Sequence, residues 1–224
     1  MGNAYTTAGL ASNLDLAERA AILEFDGGLS RGDAEAQAIS EALDRARGQA
    51  PSGILGELLG ADRRLRDPEM TALNAALGLH GPLMYGFGFA VAEGDTWRPA
   101  QVDEQGKAAV IVPAIRDGRL VDLVAQSLSS GRMLSRFGVA TILGADQVAP
   151  ALGRGALYIF KDAVQWLRGG ALGVVVLDWR RVGEELDGVP RLLCSAEIAT
   201  KLYNATRGCF PRPIIATPEL AHAA

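Results

Sequence analysis

Cysteine and histidine are scarce in this chain, and their scarcity removes whole classes of chemistry. Cys194 and Cys209 are the only two cysteines; they form no CxxC pair and are too few for a disulfide framework. Two reduced, partly buried thiols in a cytoplasmic protein are therefore expected. His80 and His222 are the only histidines and lie far apart in the chain, which argues against a histidine-based metal site or catalytic triad. No apolar run approaches the ~20 residues of a membrane helix; the stretch from Ala171 to Leu177 is among the longest, and no membrane is expected as a partner. The first residues lack the basic segment followed by an apolar stretch that marks a signal peptide. A Walker A sequence, a GxSxG elbow and an HExxH helix are all missing. Gly86-Phe87-Gly88 has neither the third glycine nor the strand-to-helix setting of a dinucleotide site, and reads as structural.

Positive charge is not in excess either. Lysine and arginine number 22 against 26 acidic residues, a net charge of −4, so nothing draws the whole chain toward phosphate backbones or anionic lipid. Met1 to Thr6 fits a myristoylation pattern, and Asn204-Ala205-Thr206 fits a glycosylation acceptor. Both are short, chance-prone patterns, and Asn204 falls in a predicted helix. What remains is an ordinary folded composition, 49% hydrophobic and 21% charged, long enough to bury a core without disulfides or metals. Its Ala, Gly, Leu and Arg usage suits a bacterial protein.

Residues 14–47 read as a helical hairpin. Asp15 and Glu18 make a capping-box start, Leu16, Ala20 and Leu23 recur at helical spacing, and Gly27-Gly28 is a stop. Ser30 and Asp33 open a second helix carrying Ile39, Leu43 and Ala46. The two helices are expected to make few contacts with the sheet that follows. The loop from Gln49 to Gly53 separates them from a further helix over Pro68 to Leu77, with Pro68 in its first turn.

The character changes at Gly81-Pro82. Leu83 to Ala92 mixes glycines with aromatic and aliphatic residues, which suggests a strand near a close backbone approach. Ala108 to Ile115 and Leu120 to Ala125 flank Asp117-Gly118, a strong hairpin signature. From Leu157 the pattern alternates. Leu157 to Phe160, Gly173 to Leu177, Arg191 to Leu193 and Ile214-Ile215 read as strands. Ala163, Val164 and Leu167 mark one intervening helix, and Ser195 caps another with Ile198, Leu202 and Tyr203 on its inner side. That order predicts right-handed βαβ units and a parallel sheet. The fold class is thus α/β: an N-terminal helical hairpin, a β-hairpin and a small parallel sheet. The expected division is a helical region over 1–80 and an α/β domain over 81–224.

Chemistry has one place to gather. Asp162 follows the first C-terminal strand, Asp178 ends the second and Glu197 lies beyond the third, so all three belong to the edge where open parallel sheets bind ligands. Two readings stand. Three converging carboxylates suit Mg²⁺, which takes oxygen ligands; acidic residues at strand ends and helix starts also serve as caps and helix-dipole partners. Trp166 and Trp179, near the same edge, are either stacking platforms for bases or rim packing.

The stretch Val112-Pro113-Ala114-Ile115-Arg116-Asp117-Gly118-Arg119-Leu120-Val121, followed by the segments Leu157 to Gly169, Gly173 to Asp178 and Arg191 to Thr206, resembles in layout the Toprim region of plasmid and phage DNA primases. The likeness spans about half the chain. Leu16 to Ala38 is similar to a short helical segment of bacterial mobile-element proteins. The resemblance implies a Toprim-like sheet and, in an active member, Mg²⁺ held by a Glu-Gly after the first strand and an Asp-x-Asp after the third. Here those positions read Lys161-Asp162 and Cys194-Ser195-Ala196-Glu197. A lysine at the first acidic position is expected to pair with Asp162 or Asp178 and to leave metal-assisted phosphoryl transfer incomplete. No cofactor is then expected, with Mg²⁺ the one implied if the site is active.

The leading expectation is a non-catalytic, replication-associated protein of a prophage or plasmid, with a replication protein or nucleic acid as partner. One alternative is a divergent Mg²⁺-dependent nucleotidyl- or phosphoryl-transfer enzyme using Asp162, Asp178 and Glu197. The other is a helix-turn-helix DNA-binding module over 14–47. That segment holds Asp15, Glu18, Glu24, Asp26, Asp33, Glu35, Glu41 and Asp44 against Arg19, Arg31, Arg45 and Arg47, the wrong balance for phosphate contact. Residues 151–224 carry nine basic and seven acidic side chains and are only mildly positive.

Overall fold

The Asp117-Gly118 turn sets the register of the longest strand pair. In the computed structural model, which describes residues 13–47, 67–79, 85–101, 103–209 and 213–217, both turn residues are left-handed, at φ 51° and 70°. That geometry matches the twist of a two-residue hairpin, and glycine adopts it without a Cβ penalty. The flanking strands, β3 (Lys107–Arg116) and β4 (Arg119–Ser127), pair antiparallel from Ala109 opposite Ser127 to Arg116 opposite Arg119, with an irregularity between Ala114 and Ile115. The predicted hairpin over 108–126 is therefore present.

It does not stand alone. β1 (Gly86–Glu93) pairs with β3, β2 (Thr96–Pro99) with β1, and β5 (Met133–Ser135) with both β2 and β4. Five strands close into a barrel in the order β1-β2-β5-β4-β3. Ala90, Trp97, Ala109, Ile111, Leu123, Ala125 and Leu134, drawn from all five strands, share one apolar cluster. In a closed barrel, a cluster with members from every strand is the interior.

The N-terminal helices α1 (Asn13–Phe25) and α2 (Arg31–Arg47) pack against each other. Ser30 caps α2 by accepting from Asp33 N at 3.3 Å, and Arg19 bonds Glu41 through two nitrogens at 2.8 and 3.2 Å. Leu16, Ala20, Leu23, Ala34 and Ala38 turn their buried face into the barrel's interior cluster. None of the described residues of the parallel sheet belongs to that cluster. The same helices do pack with the β-barrel, which the sequence did not foresee. The loop Gln49 to Gly53 lies outside the described residues, as do Leu83 and Met84 of the stretch read as a strand. The helix expected from Pro68 is α3 (Asp67–Leu77).

Beyond the barrel runs an open sheet in the order β10-β9-β7-β8-β6, with β6 at Ile142–Leu143, β7 at Leu157–Phe160, β8 at Val174–Val176, β9 at Arg191–Cys194 and β10 at Ile214–Ala216. The four strands from β7 onward are mutually parallel, and β6 adds an antiparallel edge. The molecule is mixed α/β, and the predicted parallel unit is there. Helix α4 (Val148–Arg154) follows β6, α5 (Ala163–Arg168) links β7 to β8, and α6 (Val182–Glu185) precedes β9. Helix α7 (Ala196–Ala205) links β9 to β10.

Both faces of the sheet are covered, as an apolar strand such as Val174-Val175-Val176 requires. Val175 and Leu143 join Val164, Trp166 and Leu167 of α5 and the outward side chains Phe87, Val110, Val112 and Val124 of the barrel. Val174 and Val176 face Val182, Leu186, Ile198 and Leu202 on the other side. Tyr203, expected on the inner side of α7, is instead 49% exposed. Its neighbour Leu202, one residue away and about 100° around the helix, takes the inward position at 0% exposure.

Asp122 joins the barrel to the sheet. It is fully buried, and its carboxylate accepts from Leu123 N at 2.8 Å, Phe137 N at 3.0 Å, Val139 N at 2.8 Å and Ala140 N at 3.1 Å, as well as from the Ser135 hydroxyl. The connection from β5 to β6 is thus wound around one side chain, with the backbone amides satisfied by charge-assisted bonds.

Candidate functional site: the carboxyl edge of the parallel sheet

β7 lies at the centre of the sheet with β8 and β9 on either side, all parallel. Their carboxyl ends share one edge, and the three carboxylates expected there do lie along it. Asp162 follows β7, Asp178 follows β8, and Glu197 sits in the first turn of α7 after β9.

Each has a local role. Asp162, extended at φ −152° and ψ 169°, is the N-cap of α5 and accepts from Gln165 N at 2.9 Å. The preceding amide of that first turn, Val164 N, donates to the buried Gln126 side chain of β4 at 2.9 Å, so two orphan amides of the helix start are satisfied. Asp178 accepts from Arg180 N at 2.9 Å across a tight turn. Glu197 takes the ammonium of Lys161 at 2.8 Å. Lys161 was expected to pair with Asp162 or Asp178; its ion-pair partner is Glu197, with the Asp162 charge a further influence. Hydrogen bonding to Glu197, and then its charge, holds the Lys161 ammonium above the ordinary lysine range. Among the described residues, no group of three or more His, Cys, Asp or Glu side chains is placed to hold a metal ion. The edge brings the three carboxylates into one row without making them a cluster.

Ser195 occupies the N-cap position of α7 with extended backbone, but its side chain makes no capping bond there. The two tryptophans differ. Trp166 is buried, and its indole N–H donates to Gly173 O at 2.9 Å, so it is part of the sheet's packing. Trp179 is half-buried, with the Lys201 ammonium 4.2 Å from its ring centroid, a cation–π contact at the same end of the sheet. Cys194 and Cys209 are buried and form no disulfide with each other; burial pushes the Cys194 thiol up. His80 and His222 lie outside the described residues.

Sequence reasoning missed Gln126 as the anchor of α5 and Glu197 as the partner of Lys161. Both act across elements distant in the chain, and no spacing rule joins Gln126 to Val164 or Lys161 to Glu197. Chemically, the edge offers paired charges and an aromatic–cation contact. No described helix is long and apolar enough to cross a membrane. Comparison with protein-family models, curated proteins and solved structures finds no match to this chain.

Proposed function

We propose that this protein is a non-catalytic, replication-associated protein of a prophage or plasmid, in which a Toprim-like parallel sheet is a scaffold for a partner. The observation that carries the reading is the Lys161–Glu197 ion pair at the carboxyl edge. A cation stands where an active Toprim site would need its first carboxylate, and it takes up one of the acids a metal would require. Asp162 is turned to helix capping, which leaves Asp178 without a second carboxylate committed to the same ion. The link to replication rests on the layout resemblance to plasmid and phage primases.

Calorimetric titration with Mg²⁺ and Mn²⁺, using Asp178→Ala as control, tests the reading together with a turnover assay on nucleotides and nucleic acid. Weak or Asp178-independent binding without turnover is expected. Tight, Asp178-dependent binding with metal-dependent turnover would establish the alternative, a divergent phosphoryl-transfer enzyme. The helix-turn-helix reading gains nothing from the fold. Arg19 and Arg31 are held by Glu41, Glu24 and Glu35, and the apolar face of the hairpin is spent on the barrel.

A further inference from the structure

Small side chains line the barrel where large ones would fill it. Ala90, Ala109 and Ala125 face inward on β1, β3 and β4, and the space they leave is a cavity of about 180 Å³ at the Lys107–Ser127 end. Trp97 and Leu134 complete its apolar wall. Trp97 is 1% exposed and its indole N–H donates to Leu123 O at 3.1 Å, which orients the ring in the wall. The rim is of another kind. Lys107, Arg132, Ser127 and Ser130 stand around the opening, and no acidic side chain is among the described lining residues. Arg132 spends one guanidinium nitrogen on Gly94 O at 3.1 Å, which fixes the group beside the opening.

An apolar pocket with a few convergent polar groups is the usual form of a small-molecule site, and the charge at this mouth selects the ligand's sign. We propose that the open end of the barrel binds a small organic anion with an apolar body, an aryl or short alkyl carboxylate. The ring or chain lies against Trp97, Ala109 and Ala125, and the carboxylate meets Lys107 and Arg132. The volume sets the size. A dry cavity of about 150 Å³ accommodates benzene, so this one takes a single ring with its carboxylate outside at the rim. This site is at the barrel and stands independently of the reading of the sheet edge.

Benzoate is the probe, titrated into the full chain and followed by amide and indole NMR shifts, with benzamide as its neutral counterpart. Saturable shifts centred on Trp97, Ala109 and Ala125 are expected. Benzamide, and benzoate on Lys107→Glu, should each bind about tenfold more weakly, the value of one charge-assisted contact. Lys107 is exposed, so the variant should fold, and unchanged amide shifts away from the barrel mouth check that it does. Arg132→Gln provides a second, independent reduction. Shifts that do not saturate, shifts centred elsewhere, equal affinity for benzamide, or an unchanged affinity in both variants would each overturn the proposal.

Discussion

Asp122 has no access to water, so its stability contribution depends on the donors around it. Four backbone amides and one hydroxyl converge on its two oxygens. Asparagine in its place keeps one acceptor oxygen and turns an NH₂ group toward amides that also donate. Each buried donor left without a partner costs about 1–3 kcal/mol, so Asp122→Asn is expected to destabilise the protein by at least about 3 kcal/mol. Urea unfolding measures it, and a loss under about 1 kcal/mol would mean the loop finds other acceptors. Asp146 behaves oppositely. It accepts from Asp117 N at 2.8 Å, yet burial, the largest influence, raises its pKa above the ordinary aspartate value. A raised folded-state pKa gives stability that is full below the unfolded pKa and lost as pH rises through the folded one. At neutral pH the ionised side chain therefore stabilises the fold less than the protonated one would. Asp146→Asn keeps an acceptor for Asp117 N and should raise the melting temperature at pH 7, with the gain shrinking as pH falls through the raised folded-state pKa toward the ordinary aspartate value. A variant less stable at pH 7 would show that the amide bond to the carboxylate outweighs burial.

At the scale of elements, the strand pair β7 and β8 is held at a distance only glycine allows. Gly173 sits at φ +130°, and a Cβ there would lie 2.5 Å from Tyr158 O, a backbone atom that cannot move without parting the strands. Gly173→Ala is expected to cost at least about 2 kcal/mol. Gly170→Ala, at φ +68° with nothing within 4 Å, should cost only about 1 kcal/mol; thermal denaturation of the pair separates crowding from backbone strain. Elements of this kind were legible in proportion to how local their causes are. The β3–β4 hairpin was visible because two adjacent residues, Asp117 and Gly118, specify it. The parallel strands were visible because Val174-Val175-Val176 and Leu157 to Phe160 are apolar runs bounded by turns. The barrel was not. Its closure rests on β1 pairing with β3 and on β2 meeting β5 at Thr96 opposite Ser135, and strands of four and three residues are too short to show a period. At the candidate site, Asp162 as a cap could be read from its place before a helix. The Lys161–Glu197 pair could not, because it joins the ends of two strands that become neighbours only in the folded sheet.

At the scale of the whole molecule, barrel and sheet are joined through one shared apolar cluster. Their shared cluster sets Phe87, Val110, Val112 and Val124 of the barrel against Trp166, Leu167 and Val175 of the sheet layer, which makes each the cover of the other's apolar face. Polar ties cross the same boundary: Gln126 to Val164 N, Asp117 N to Asp146, and Arg116 to Glu185 on α6. Helix α3 is bound in through Arg168, which donates to Leu77 O, and through Leu73 and Leu77 in the cluster. Exposing those side chains costs about 25 cal/mol per Å² of apolar surface, so neither half gains by separating before the other. Residues 85–217 should therefore unfold in one transition, with backbone amide exchange in β7 and β8 of the sheet and in β3 and β4 of the barrel reporting the same midpoint. Val112→Ala, on the outward face of the barrel, is expected to destabilise both signals equally, by about 1–2 kcal/mol for the methyl groups lost. Two separated transitions, or a Val112→Ala effect confined to the barrel's amides, would show that the boundary cluster joins two independently stable halves.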